Sequence, residues 1–230
     1  MVQPNDILGI RALDGYAVML KARQNLFRNI SKKIRSKAVI TALGSLPRER
    51  FVPSESRHLA YQDIPLPIGE NQTISQPFIV AMMTEALELH GNERVLEVGT
   101  GSGYQAAVLS LLVPRGHLIT VERVAHLKEK AKALLAELGY HNVTVELAGS
   151  TLGAPKHGPF DAIIVTAASP QIPDSLVSQL EIGGRLVIPV GTRENQELMR
   201  VLRTDEGISV RWLGHCRFVP LIGNEAFPEQ

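Results

Sequence analysis

The sequence predicts a doubly wound α/β fold: a mostly parallel sheet with helices on both faces, an antiparallel strand at its C-terminal end and a helical extension at its N-terminal end. Three observations carry this expectation. From residue 78 onward, short apolar runs alternate with amphipathic segments of helical length, the pattern of repeated strand–helix–strand units. The run 160–166 (FDAIIVT) is of the nearly continuous apolar kind found in the middle of parallel sheets. A glycine-rich turn follows the first of these strands and opens the next helix, where open α/β sheets bind ligands.

The elements follow in order. Residues 1–50 read as a helical extension, somewhat separate from a main domain over 51–230. Within the extension, Ile30, Ile34, Ala38 and Ala42 recur every four residues, which predicts one helix face. No acidic residue stands between Asp14 and Glu49, whereas Lys21, Arg23, Arg28, Lys32, Lys33, Arg35, Lys37 and Arg48 all do. We read these cations as the solvated side of an amphipathic helix, and no nucleic-acid partner is expected. Residues 57–77 read as a loop punctuated by Pro65, Pro67, Gly69 and Pro77. Its polar groups, Glu70, Asn71, Gln72, Thr73 and Ser75, mark it as part of a site. Helices are then expected over 78–89, 104–113, 125–138 and 173–180, with Leu127, Ala131, Leu134 and Leu135 sharing one side of the third. Strands are expected over 94–98, 117–121, 143–147, 160–166 and 184–190, with 197–204 and 210–217 as a closing antiparallel pair.

A chain of 230 residues is long enough to bury a full core without metal or disulfide support. Its formal net charge of +1 gives no reason to expect a polyanionic partner. The single cysteine, Cys216, excludes an internal disulfide and a cysteine-rich zinc site, and suits a reducing, cytoplasmic compartment. The N-terminal residues lack a basic stretch followed by an apolar core, so no secretory signal is expected. No apolar run is long enough to span a bilayer.

The strongest motif is VLEVGTGSGY, residues 95–104. A dinucleotide fingerprint places its third glycine three residues after the second, to seat a pyrophosphate. Here that position is Tyr104, and the spacing is Glu97-x-Gly99-x-Gly101-x-Gly103. Glu122 ends the following strand, where a carboxylate can accept both hydroxyls of a ribose. Carboxylates beside the loop suit a cationic ligand and repel phosphate.

This arrangement resembles the cofactor-binding core of class I S-adenosylmethionine methyltransferases, which have a Rossmann-like fold. Beyond it, residues from about 46 to 223 resemble the protein-L-isoaspartate O-methyltransferase family. The matching segments are LPRERFVP, LPIGENQTISQPFIVAMMTEAL, VLEVGTGSGYQAAVLS, FDAIIVTAASPQIPDSLVSQLEIGGRLVIPVG and FVPLIG. The resemblance implies that S-adenosyl-L-methionine is the methyl donor and S-adenosyl-L-homocysteine the product. It implies that the acceptor is the free α-carboxylate of an L-isoaspartyl residue in a damaged protein or peptide. No metal and no membrane enter this chemistry.

The same resemblance assigns cofactor contacts to Thr73, Ile74, Glu97, Gly99, Thr100, Gly101, Ser102, Gly103, Glu122, Arg123, Gly149 and Ser150. Ser75 falls at the methyl-transfer position, as a residue that orients the acceptor carboxylate. Its competing reading is an N-cap for the helix beginning near residue 78. Val219, Pro220 and Leu221 fall along the bound peptide, with main-chain groups of Val219 and Leu221 pairing to it. His58 and His215 are expected to have structural or substrate-lining roles, because an ionised carboxylate needs no base. The chain departs from the family at Gly149, within Ala148-Gly149-Ser150, where the family usually carries an aspartate that helps hold adenine. Two alternatives stay open: a related methyltransferase with another substrate, and a degenerate protein that binds isoaspartate or cofactor without turnover.

Overall fold

A computed structural model of the chain describes residues 4–229, with side chains from residue 17 onward. The elements are α1 (Pro4–Ile30), α2 (Lys37–Ser45), β1 (Leu66–Gly69), β2 (Gln72–Ile74), α3 (Pro77–Ala86), β3 (Arg94–Val98), α4 (Tyr104–Leu112) and β4 (His117–Glu122). There follow α5 (Ala125–Glu137), β5 (Val143–Leu147), β6 (Phe160–Val165), α6 (Asp174–Val177), β7 (Leu180–Gly191), β8 (Gln196–Thr204) and β9 (Gly207–Cys216). The large sheet has seven strands in the order β5-β4-β3-β6-β7-β8-β9. The pairings from β5 to β7 are parallel, and β8 and β9 close the sheet antiparallel.

Alternation along each central strand divides the core into two layers. On one face Val95, Ala162, Ile164 and Val187 meet side chains from α1 through α5. On the other, Leu96, Val98, Ile163 and Ile188 meet Leu176 of α6 and the loop residues Leu152 and Leu221. Helices thus lie on both faces, but unequally, and irregular chain covers much of the second. The strand order reverses at β3, whose neighbours are β4 on one side and β6 on the other. A crevice forms outside the carboxyl ends of strands at such a switch point.

Two local expectations are corrected. Ile30, Ile34, Ala38 and Ala42 do not share a helix face, because the chain breaks between α1 and α2. The break is held by Glu85 Oε1, which accepts from Arg35 N and Ser36 N at 2.7 Å each, while Ser36 Oγ caps α2 by accepting from Val39 N. Ala38 is exposed, whereas Ile30, Ile34 and Ala42 are buried. The segment 57–77 is more than a loop: β1 and β2 pair as an antiparallel hairpin. Its tip residues Glu70 and Asn71 both take positive φ, 52° and 54°, the backbone a type I′ turn requires.

The N-terminal helices also share the main core. Leu26, Ile30, Ile34, Val39, Leu43 and Leu46 belong to the same buried cluster as Val95 and Val187. The first three residues of the expected extension lie outside the described residues. No described helix is long and apolar enough to cross a membrane.

Candidate active site

A cavity of about 510 Å³ opens at the carboxyl ends of β3, β4 and β6. That lies within the ~300–1,000 Å³ typical of small-molecule sites. Its walls bring together segments far apart in sequence: the β1–β2 hairpin tip through Ser75, the glycine loop, Glu122 and Arg123, the stretch 148–153, and 219–223. Every residue assigned from sequence lines it except Gly103, whose backbone instead starts α4. His58 and His215 are exposed and do not line it.

The glycine loop is largely tied down by bonds within the chain. Gly99 N and Thr100 N both donate to Val121 O, Gly101 N to Glu122 Oε2 at 2.8 Å, Gly103 N to Thr100 O, and Tyr104 N to Ser102 Oγ. The amides of Ser102, Gln105 and Ala106, at the opening of α4, donate to no other described residue. Gly99 answers to the fold as much as to a ligand. Its φ is +101°, and a Cβ there would stand 2.3 Å from Thr166 Oγ1, which donates to Gly99 O.

Two buried carboxyl groups flank the loop. Glu122 accepts from Gly101 N through Oε2 and from Val124 N, at 2.9 Å, through Oε1. A carboxylate has about four lone-pair sites, so each oxygen can still accept one hydroxyl. Glu97 is completely buried; Thr120 Oγ1 donates to its Oε2 at 2.7 Å, and Oε1 has no partner among the described residues. Burial pushes its pKa up to about 8, opposed by the Thr120 hydrogen bond and reinforced by the charge of Glu122. Burial thus disfavours its charged form, and a cation placed beside it would favour that form.

Ser75 is half-buried, and its hydroxyl makes no hydrogen bond to another described residue. It does not cap α3. The N-cap is Gln76, and the first-turn amide of Phe78 donates to Asp63 Oδ1 at 2.8 Å. Gly149 is exposed, outside the left-handed region, and a Cβ on it would meet nothing within 4 Å. Glu146, the nearest upstream carboxylate, is turned away into contacts with His157 and Lys156 at 2.9 and 3.1 Å.

Part of the 219–221 strip is already paired within the chain. Val219 O accepts from Ala168 N, Leu221 N donates to Ala168 O, and Leu221 O accepts from Phe227 N. Val219 N–H and Pro220 O make no main-chain hydrogen bond to another described residue, and the carbonyls of Val219 and Leu221 each keep a second lone pair. The tail then folds back along the cavity. Arg123 pairs with Glu229 at 2.7 Å, and Arg193 donates to Pro228 O at 3.0 Å with its guanidinium over the Phe227 ring. Sequence reasoning did not find Arg193 or Glu229 as lining residues, since only the tail's long-range return brings them there. Among the described residues, no group of His, Cys, Asp and Glu could hold a metal ion.

An open parallel sheet with an E-x-G-x-G-x-G loop at its switch point and a carboxylate ending the next strand defines a Rossmann-like methyltransferase fold. A family model described as protein-L-isoaspartate(D-aspartate) O-methyltransferase matches residues 21–226, and the chain belongs to that family. Protein-L-isoaspartate O-methyltransferase of Desulfosudis oleivorans is 49% identical, over 91% of this chain and 94% of its own length. The enzyme of the same name from Syntrophotalea carbinolica is 52% identical, over 87% of this chain and 92% of its own length. Among solved structures, a protein-L-isoaspartate O-methyltransferase superposes with a TM-score of 0.80 at 31% identity. It covers 88% of this chain, which spans 66% of that longer one. A Plasmodium falciparum structure described as a β-aspartate methyltransferase in complex with S-adenosyl-L-homocysteine has a TM-score of 0.73 at 24% identity and shares the fold. It covers 86% of this chain and 96% of its own.

Proposed function

We propose that this chain transfers a methyl group from S-adenosyl-L-methionine to the free α-carboxylate of L-isoaspartyl residues in damaged proteins and peptides, a repair reaction. One observation carries the reading: the glycine loop with its carboxylates and the Ser75 loop with the 219–221 strip line a single cavity. A donor and an acceptor can therefore meet there.

The residues present fit the donor. Glu122 keeps lone pairs for ribose hydroxyls, its carboxylate beside the loop disfavours a phosphate, and the unpartnered oxygen of Glu97 suits a positive group. Thr73, Ile74, Thr100, Gly101, Ser102 and Arg123 complete that half, with Gly149 and Ser150 on the adenine side. Bound S-adenosylmethionine supplies an electrophilic methyl group on a sulfonium centre. The acceptor α-carboxylate is ionised at neutral pH and needs no general base. What remains for the protein is alignment and the exclusion of water. We assign Ser75 to holding the carboxylate through its hydroxyl, and Val219 N–H with Pro220 O to the peptide main chain. Recognition through main-chain groups is indifferent to side-chain sequence, as repair of scattered lesions requires.

We read 51–230 as the methyltransferase domain and 1–50 as a helical extension, of which Leu26 to Leu46 share the domain's core. Cys216, unpaired and half-buried, supports a cytoplasmic setting. The test is incubation with labelled S-adenosylmethionine and a matched pair of peptides, one isoaspartyl and one aspartyl. Label on the isoaspartyl peptide alone is the expected result. Equal label on both would overturn it, label only on nucleic acid would favour a different substrate, and no label with intact binding would mark a binding protein.

A further inference from the structure

Arg48 is a cation buried without an anion. Its side chain is fully enclosed, at 0% exposure, and it takes part in none of the ion pairs among the described residues. Burial lowers its pKa from the ordinary arginine value, opposed by Tyr104, Asp63 and Tyr61. Enclosing a guanidinium in this way is costly.

The geometry shows what the charge accomplishes. Nε donates to Ala60 O at 2.9 Å, and Nη2 donates to Ser75 O at 2.8 Å. The guanidinium carbon lies 4.7 Å from the ring centroid of Tyr104. Phe51 meets that ring edge-on at 5.4 Å, which holds it in place. Tyr104 follows Gly103 directly and begins α4, so it moves with the glycine loop. Both Tyr104 and Ser75 line the cavity. One planar group therefore bridges the donor side of the cavity to the main chain of the acceptor side. Arg48 Nη1 and the Tyr104 hydroxyl, both buried, meet no hydrogen-bond partner of full geometry, and the interaction of the guanidinium with Tyr104 works against the effect of burial on the arginine.

We propose that Arg48 is a positioning residue for methyl transfer, a fork that locks the main chain at Ser75 to the helix opening from the glycine loop. This rests on the function proposed above. With the Ser75 carbonyl fixed, the adjoining peptide plane cannot rotate, and only the side-chain torsion of Ser75 remains. No other described group orients that hydroxyl, so its register depends on the main chain behind it. Lysine cannot replace the fork: an ammonium is a point charge without fixed, planar donors that reach two carbonyls at once.

The experiment compares the unaltered chain with Arg48→Lys and Arg48→Met in methylation of the isoaspartyl peptide, S-adenosylhomocysteine titration and thermal melting. Both variants are expected to fold, and Arg48→Met, which removes the enclosed charge but leaves Ala60 O and Ser75 O without their donor, is expected to melt lower than the unaltered chain. Their kcat should fall about ten- to a hundredfold, the scale of a small misplacement of reacting groups, with KM and the S-adenosylhomocysteine Kd each within about threefold. A purely structural arginine predicts lower melting with kcat per folded molecule unchanged, so kcat per folded molecule decides between the two. A kcat within about twofold of the unaltered chain in either folded variant, or failure of both to fold, overturns the proposal. An unaltered chain that binds S-adenosylhomocysteine but methylates no isoaspartyl peptide fails the functional reading instead, a result visible before either variant is made.

Discussion

Replacing Gly149 by Asp should tighten S-adenosylmethionine binding. Gly149 lines the cavity, yet neither space nor backbone requires glycine there: its φ lies outside the left-handed region, and an added Cβ meets nothing within 4 Å. The family resemblance puts an adenine-binding carboxylate at this position, and no neighbour substitutes for it. Glu146 is held by His157 and Lys156. An aspartate would add one charge-assisted hydrogen bond at a partly solvated site, worth about 1–2 kcal/mol, or roughly five- to thirtyfold in Kd. Stability should move little, since Gly-to-non-Gly changes at compatible sites gain at most about 1 kcal/mol through the unfolded state. Calorimetric titration of both proteins with S-adenosylmethionine and S-adenosylhomocysteine, with melts to verify folding, measures this. Equal or weaker binding by a well-folded variant would refute the reasoning and mean that the 148–153 stretch meets adenine through other groups.

Two further outcomes are expected. Ser75→Ala should lower kcat by about ten- to a hundredfold, the rate equivalent of one hydrogen bond to a charged group, with melting and S-adenosylhomocysteine affinity unchanged, because Ser75 does not cap α3; an unchanged rate removes it from the reaction. For Glu97, the folded pKa of about 8 stands above the ordinary 4.5, so the folded state keeps a proton that the unfolded state gives up between those values. Its contribution to stability is therefore fully present below pH 4.5 and lost as pH rises through about 8; melts across that range should show a flatter decline for Glu97→Gln, and parallel curves would contradict the assignment.

Much of the fold was legible because it is locally written. The strands at 94–98 and 143–147 fall where short apolar runs end against Asn, Gly or Glu, and their partners need no long-range information to be recognised as strands. The β1–β2 hairpin was not legible, for physical reasons. Its strands have four and three residues, Pro67 interrupts the first, and its tip places Glu and Asn at positive φ instead of the Asn-Gly pair that marks such turns. The break between α1 and α2 was hidden because Glu85, far along the chain, holds the two amides that end the helical run. A four-residue repeat of apolar residues cannot register an acceptor supplied from another helix.

The site divides along the same line. The glycine loop and Glu122 could be read from spacing, since each is positioned by the strand it terminates. The groups that decide what the cavity can hold and how firmly depend on contacts between distant segments. Ala168 commits one main-chain group each of Val219 and Leu221. Glu229 and Pro228 bring the tail back to Arg123 and Arg193. Arg48 was grouped with the solvated cations of the N-terminal segment, the ordinary place for arginine. Only the folded chain shows it enclosed between Ala60, Ser75 and Tyr104. Charge pattern along a sequence reports which groups can sit in water, and an arginine that satisfies main-chain carbonyls from inside the core carries no mark in that pattern. The rigidity of the acceptor side therefore rests on a residue whose role is set by tertiary contact alone, while the donor side rests on residues whose spacing already states their geometry.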